Sequence, residues 1–232
     1  MPDHYRRLTM MRSTAGGPKP QRRSERTLLR RLTLGLALAF TVVLPSSTAS
    51  AQDMGPVAIT IRTAMGDIDL ELYPDRAPVT TANFLAYLDA GHYNGGGFYR
   101  VVRYDNDNGN PKIEVIQGGA DEDGRGAFPA IAHESTEDTG LLHVDGAISM
   151  ARGGVGTATS EFFIVIGEQP GLDHGQARNA DLQGFAAFGQ VVGGMDVVRE
   201  IDQLRAPVGE EGSYTSGQTL EEPVRITEVV RR

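Results

Sequence analysis

The sequence predicts a mainly β fold, a closed barrel or a sandwich, for residues 52–232. Short runs rich in β-branched and aromatic residues recur at close spacing, and turn-forming residues separate them. The chain contains 29 Gly and 12 Pro, which suits many turns, and it shows no internal repeat. Only two segments have apolar residues at helical spacing. We therefore expect one β domain with two helices.

Each element follows from a local pattern. Residues 57–63 and 67–73 alternate apolar and polar positions around a Gly turn, which predicts a hairpin. Pro78 opens a helical segment and Gly91 closes it. The predicted strands are 57–63, 67–73, 98–103, 113–117, 146–152, 161–167, 185–192 and 224–230, and the predicted helices are 78–90 and 194–204.

Two loops are longer than a connection between neighbouring strands needs. Residues 104–112 are rich in Asp and Asn, and we expect them to form a solvated excursion. Residues 173–184 form a second long polar loop. Four of the five histidines have no partner that the sequence reveals, so we expect surface or loop roles for them; they are His92, His133, His143 and His174.

Composition excludes several classes of function. The chain has no Cys, which excludes disulfides, thiol catalysis and zinc fingers. Residues 1–51 hold 9 of the 22 Lys and Arg but 2 of the 30 Asp and Glu. The remainder therefore has 28 acidic and 13 basic residues, a net charge of −15 with His neutral. Such a surface repels phosphate, so we expect no nucleic-acid partner.

The first 51 residues have the features of a secretory signal peptide. A long basic region precedes the apolar run 32–44, and Ala49-Ser50-Ala51 forms the cleavage signal. We predict removal after Ala51 and a soluble periplasmic domain of residues 52–232, without stable membrane insertion. The alternative is an uncleaved anchor, although the apolar run is short for a membrane span.

The sequence lacks complete motifs for phosphate binding, calcium binding or a serine nucleophile. The Gly-rich segment 153–156 precedes a strand, so no helix N-terminus is available to hold a phosphate. Residues 105–110 are similar to a calcium loop, but Ile116 takes the place of its final acid. No Gly-x-Ser-x-Gly nucleophile elbow occurs. We therefore expect no metal and no cofactor.

Five blocks occur in the order in which they occur in the cyclophilin family, which this chain resembles. The blocks are Phe98-Tyr99-Arg100-Val101-Val102, Ile116-Gln117-Gly118-Gly119, Ser149-Met150-Ala151, Glu161-Phe162-Phe163-Ile164 and residues 187–198. The resemblance implies a closed eight-stranded antiparallel barrel capped by two helices, with a proline pocket on its outer face. It also implies a monomeric peptidyl-prolyl cis-trans isomerase that acts on proline-containing polypeptides.

The resemblance also assigns the site. Arg100, Gln117 and Phe163 are the expected catalytic residues, and Val115 and Leu172 join Phe163 in an apolar seat for proline. Further expected substrate contacts are Ala151, Arg152, Glu161 and Phe185. Residue pattern alone would place a strand arginine at a rim and a phenylalanine in the core.

Two further expectations depend on the resemblance. Gly171 stands where many eukaryotic members have Trp, so we expect weak binding of cyclosporin-like macrocycles, which Gly171→Trp would tighten. The alternative to an isomerase is a noncatalytic proline-peptide-binding module or chaperone that uses the same groove.

Overall fold

The structure, a computed structural model, describes residues 55–209 and 211–232. The predicted signal peptide lies outside the described residues. Within the described ranges, no helix is long and apolar enough to span a bilayer. The strands are β1 Val57–Thr63, β2 Gly66–Leu72, β3 Gly97–Val102, β4 Val115–Gly119, β5 Ala147–Met150, β6 Phe162–Val165, β7 Ala186–Gly193 and β8 Thr219–Arg231. The helices are α1 Pro78–Asp89, α2 Thr136–Thr139 and α3 Met195–Asp202, with a 3-10 helix at Pro170–Leu172.

The strands close into a barrel. Their order around it is β1-β2-β7-β5-β6-β4-β3-β8, and β8 pairs with β1 to complete the ring. Every pairing is antiparallel. The predicted eight-stranded barrel is confirmed, and the sandwich alternative is wrong. The two predicted helices correspond to α1 and α3.

The short helix α2 was not predicted. Ser135 and Asp138 form a reciprocal capping box at its start, and Gly140 ends it in the left-handed conformation. These polar caps hold a single turn that has no apolar periodicity to reveal it.

Strand alternation divides the apolar side chains between two faces. Phe162 and Ile164 are fully buried in the large interior cluster, together with Phe84 from α1 and Ile201 from α3. Phe163, one residue along the same strand, belongs to a second cluster on the outer face of the barrel. The outer cluster contains Val102, Ile113, Val115, Ala147, Phe163, Val165 and Leu172.

The loop at 104–112 is exposed at most positions, as expected, but Asp107 within it is not solvated. The carboxylate of Asp107 is fully buried, and it accepts two hydrogen bonds from Arg178 at 2.6 and 2.9 Å. It also accepts the backbone N–H groups of Gly109 and Ile113. A buried carboxylate is stable when it is paired and hydrogen-bonded in this way. The two long loops are therefore joined through a buried ion pair.

Candidate active site

Strand register aligns the three predicted catalytic residues in one row. Arg100 on β3 pairs with Gln117 on β4, and Gln117 pairs with Phe163 on β6. Side chains of directly paired residues point to the same face of a sheet. The row therefore lies on the outer face of the barrel, and we call Arg100, Val115, Gln117 and Phe163 the pocket floor.

The floor belongs to a pocket of about 290 Å³. Every predicted site residue lines this pocket except Ala151 and Glu161. Its lining residues are Arg100, Ile113, Val115, Gln117, Arg152, Phe163, Leu172, Arg178, Asn179, Phe185 and Tyr214.

Arg100 is held by two amide oxygens. Its Nη1 donates to Gln117 Oε1 at 2.8 Å, and its Nε and Nη2 donate to Gln218 Oε1 at 3.0 and 2.5 Å. Gln218 is fully buried, and its own amide donates to the Asn106 carbonyl at 2.9 Å. The guanidinium is thus fixed on two edges, and two of its N–H groups are used by neither glutamine.

The charge of Arg100 is not neutralised by a carboxylate. None of the ion pairs among the described residues includes Arg100. Burial lowers the pKa of Arg100, and the oxygens of Tyr214 and Tyr99 oppose this shift. A guanidinium remains protonated in proteins despite such shifts. Arg100 is therefore a half-buried cation supported only by neutral groups.

Phe163 is packed from two sides. Its ring stacks on His143 at 6.0 Å between centroids and meets the Phe185 ring edge-on at 5.3 Å. Leu172 and Val115 complete the apolar surface beside it. These neighbours fix the rotamer of Phe163, so the seat is formed before any ligand binds.

The expectation for His143 is wrong, because this side chain is buried behind the floor. Its Nδ1 lies 2.7 Å from Asp173 Oδ1, and its Nε2 lies 3.0 Å from Ser149 Oγ. Burial lowers the pKa of His143, and the hydrogen bond to Asp173 opposes the shift. A Ser-His-Asp arrangement is therefore present, although no sequence motif predicted it. Ser149 is fully buried beside Phe163 on the neighbouring strand, so this hydroxyl cannot reach a substrate.

The outer side of the pocket comes from three loops, and the sequence did not reveal it. Arg178 and Tyr214 line the pocket, and Asp107 holds Arg178 from behind. Arg178 Nη2 donates to the Tyr214 hydroxyl. The Tyr214 ring centroid lies 5.4 Å from the guanidinium carbon of Arg178 and 5.4 Å from that of Arg100. We call Asp107, Arg178 and Tyr214 the pocket wall.

The other predicted contacts lie at the margins. Arg152 lines the pocket, but its guanidinium donates to Asp181 and to the Gly184 carbonyl and lies 5.3 Å from the Phe185 ring centroid. Ala151 packs against the outer cluster, and Glu161 lies behind Gln117. Within the described ranges, no group of three or more acidic, His or Cys side chains is placed to hold a metal ion.

A family model described as cyclophilin type peptidyl-prolyl cis-trans isomerase/CLD matches residues 58–231, well over half of the chain. The chain belongs to the cyclophilin family. The predicted enzyme class, peptidyl-prolyl cis-trans isomerase, is thereby confirmed for the family, whereas the roles of individual site residues remain predictions.

Similar proteins agree with the cyclophilin assignment. The peptidyl-prolyl cis-trans isomerase A of Dickeya dadantii is 35% identical over 185 residues, which cover 78% of this chain and 86% of that protein. An isomerase of Acinetobacter baylyi is 30% identical over 81% of this chain and 92% of its own length. A crystal structure of a Cryptosporidium parvum cyclophilin has a TM-score of 0.57 at 22% identity and covers 76% of this chain and 98% of its own.

Gly171, expected to stand where many eukaryotic cyclophilins have Trp, lies against the first long loop. A Cβ atom at Gly171 would lie 2.5 Å from Cγ of Pro111, which belongs to the first long loop. This separation is far below van der Waals contact, so Gly171→Trp must displace Pro111, and the tighter macrocycle binding expected of this variant stays a prediction. The loop occupies the space beside Gly171, and Tyr214 supplies an aromatic ring elsewhere on the pocket.

Proposed function

We propose that this chain accelerates rotation about Xaa-Pro peptide bonds of folding, exported polypeptides, with Arg100 as the residue that stabilises the twisted amide. The observation that supports this role is the placement of an unneutralised guanidinium beside a preformed apolar seat. A Cryptosporidium parvum cyclophilin was crystallised in the presence of the dipeptide Ala-Pro, which supports proline-containing peptides as ligands.

The chemistry needs no bond to be made or broken. A peptide bond resists rotation by roughly 18–20 kcal/mol because its C–N bond has partial double-bond character. Rotation removes that character, and the prolyl nitrogen then gains a lone pair that can accept a hydrogen bond. A catalyst must therefore hold the proline ring and favour the twisted amide over both planar isomers.

The pocket meets both requirements. Phe163, Val115 and Leu172 provide the apolar surface for the ring. Arg100 has N–H groups that neither Gln117 nor Gln218 uses, and these donate to the prolyl nitrogen as it becomes pyramidal. A charged donor that is already fixed needs no reorganisation in the transition state, so its effect falls mainly on the rate.

A protease-coupled assay on a short Xaa-Pro peptide tests this proposal. Arg100→Ala is expected to lower kcat/KM on the order of 10²- to 10³-fold, which is typical for loss of one preorganised donor. Arg199→Ala is the control, because Arg199 is exposed and pairs with Asp145 outside the pocket. A wild type that binds the peptide without accelerating it would instead be a noncatalytic binding module.

We also propose export, with residues 1–51 removed as a signal peptide and a monomeric domain released into the periplasm. The basic region, apolar run and Ala49-Ser50-Ala51 support this assignment. Intact mass of the protein in the soluble envelope fraction tests it. A mass that starts at Gln52 is expected, and a mass that retains residues 32–44 would indicate a membrane-anchored form.

A further inference from the structure

Tyr99 occupies a β-bulge next to Arg100. Phe98 pairs with Gly118 and Arg100 pairs with Gln117, so Tyr99 is an extra residue that has no paired residue on β4. Side chains alternate along a regular strand, and a bulge interrupts this alternation. As a result, both Tyr99 and Arg100 reach Gln117 from the same strand.

A chain of hydrogen bonds continues from Arg100 through Tyr99. Arg100 Nη1 donates to Gln117 Oε1 at 2.8 Å, and Gln117 Nε2 donates to the Tyr99 hydroxyl at 2.8 Å. The Tyr99 hydroxyl donates to a carboxylate oxygen of Glu161. Arg only donates and a carboxylate only accepts, so the two ends determine the direction of every bond between them.

Glu161 is held at the end of this chain. Its side chain is 19% exposed, and Arg125 Nε lies 3.5 Å from its Oε1. A Cβ atom at Gly119 would lie 2.4 Å from that same oxygen, so the glycine lets the carboxylate take this position. Burial raises the pKa of Tyr99, and Glu161 raises it further, which keeps the hydroxyl protonated as a donor.

We propose that Tyr99 and Glu161 are positioning residues that fix the amide of Gln117 and thereby aim Arg100 into the pocket. Neither residue is among those that line the pocket, so each acts through Gln117 in this proposal. Without the Tyr99 hydroxyl, the Gln117 amide is free to rotate and to turn its NH₂ group toward Arg100, which cannot accept a hydrogen bond. This inference rests on the proposed function and deepens it.

Tyr99→Phe tests the inference because it removes one hydroxyl and keeps the ring. We expect kcat to fall about three- to tenfold, the effect of one hydrogen bond, with little change in KM. Tyr104→Phe is the matched control, because the Tyr104 hydroxyl also accepts from a glutamine amide, that of Gln169 at 3.1 Å, away from the pocket. We expect wild-type kcat from this control.

Glu161 offers a rescue test. Glu161→Ala is expected to lower kcat as much as Tyr99→Phe does, because the Tyr99 hydroxyl loses its acceptor. Glu161→Gln keeps an acceptor oxygen and is expected to restore most of the wild-type kcat. Equal losses in both Glu161 variants would overturn the role of the acceptor.

A double-mutant cycle separates positioning from general stability. If Tyr99 acts through Gln117, Tyr99→Phe should add no further loss in a Gln117→Ala background. Unchanged kcat in Tyr99→Phe, or a full additional loss in the Gln117→Ala background, would overturn the inference while the wild type stays active. A wild type without acceleration would overturn the proposed function and this role with it.

Discussion

The floor and the wall of the pocket are built by different means. Arg100, Gln117 and Phe163 lie on three neighbouring strands, and their alignment is fixed by the backbone ladder of the barrel. Arg178 and Tyr214 lie on loops, and their placement depends on the buried carboxylate of Asp107. One pocket therefore combines a floor set by sheet register with a wall held by a buried ion pair and a few hydrogen bonds between loops.

This difference predicts how substitutions in the floor and in the wall affect the protein. The barrel fixes the backbone of the floor through many hydrogen bonds, whereas the aim of the Arg100 guanidinium depends on its contacts with Gln117 and Gln218. The wall has few such bonds, and losing one partner leaves a buried charge without compensation. We expect substitutions in the wall to affect stability and those in the floor to affect rate.

The largest stability effect is expected from Asp107→Ala. Removing one partner of a buried ion pair costs about 3–5 kcal/mol, because the charge of Arg178 stays buried without its partner. Asp89→Ala is a matched control, since Asp89 and Arg231 form a similar two-point pair on the exposed surface. That pair is expected to contribute about 0–1 kcal/mol. Denaturant unfolding of both variants measures the contrast, and equal losses would contradict it.

A smaller effect is expected from Gly171→Trp. The new side chain must displace Pro111, whose carbonyl accepts a hydrogen bond from Arg178 at 2.7 Å. Overpacking of this kind costs about 1–3 kcal/mol. Gly153→Trp serves as the control because Gly153 is exposed and a Cβ atom there would lie 3.5 Å from its nearest neighbour, Thr157 Oγ1. Thermal unfolding checks the difference, and a Gly171→Trp protein as stable as the control would show that the loop gives way freely.

The smallest effect concerns the support of the floor. The pKa of His143 is lowered in the folded state, so its contribution to stability is present above its ordinary pKa of 6.5. That contribution is lost as the pH falls from 6.5 through the folded pKa. We expect the free energy of unfolding to decline over this range in the wild type and to decline less in His143→Gln. Denaturant unfolding at several pH values measures both proteins. If the free energy of unfolding declined equally in the wild type and in His143→Gln, His143 would not be the cause of the pH dependence.

The sequence contained enough to predict the barrel and the floor. Alternating apolar residues defined the strands, and the blocks around Arg100, Gln117 and Phe163 identified the family. The resemblance implied that these three residues share one site, and strand register places their side chains in one row. The bulge at Tyr99 was not predictable, because one extra residue leaves the apolar pattern almost unchanged.

The wall was beyond sequence reasoning for a physical reason. Asp107 and Arg178 are 71 residues apart and lie in loops without periodicity, so no local pattern connects them. The same reason hid Gln218, which reaches Arg100 across 118 residues. His143 and Asp173 were also missed, because they lie 30 residues apart and outside the strands. Long-range polar contacts of this kind become visible only in the folded chain.

The most direct test compares kcat/KM of Arg100→Gln and Tyr214→Ala on one Xaa-Pro peptide. The account predicts a loss on the order of 10²- to 10³-fold for Arg100→Gln, because the charged donor of the floor is gone while the amide keeps polar contacts. For Tyr214→Ala it predicts a loss of less than about tenfold, since this wall residue only shapes access to Arg100. Equal losses, or a larger loss in Tyr214→Ala, would contradict the assignment of catalysis to the floor.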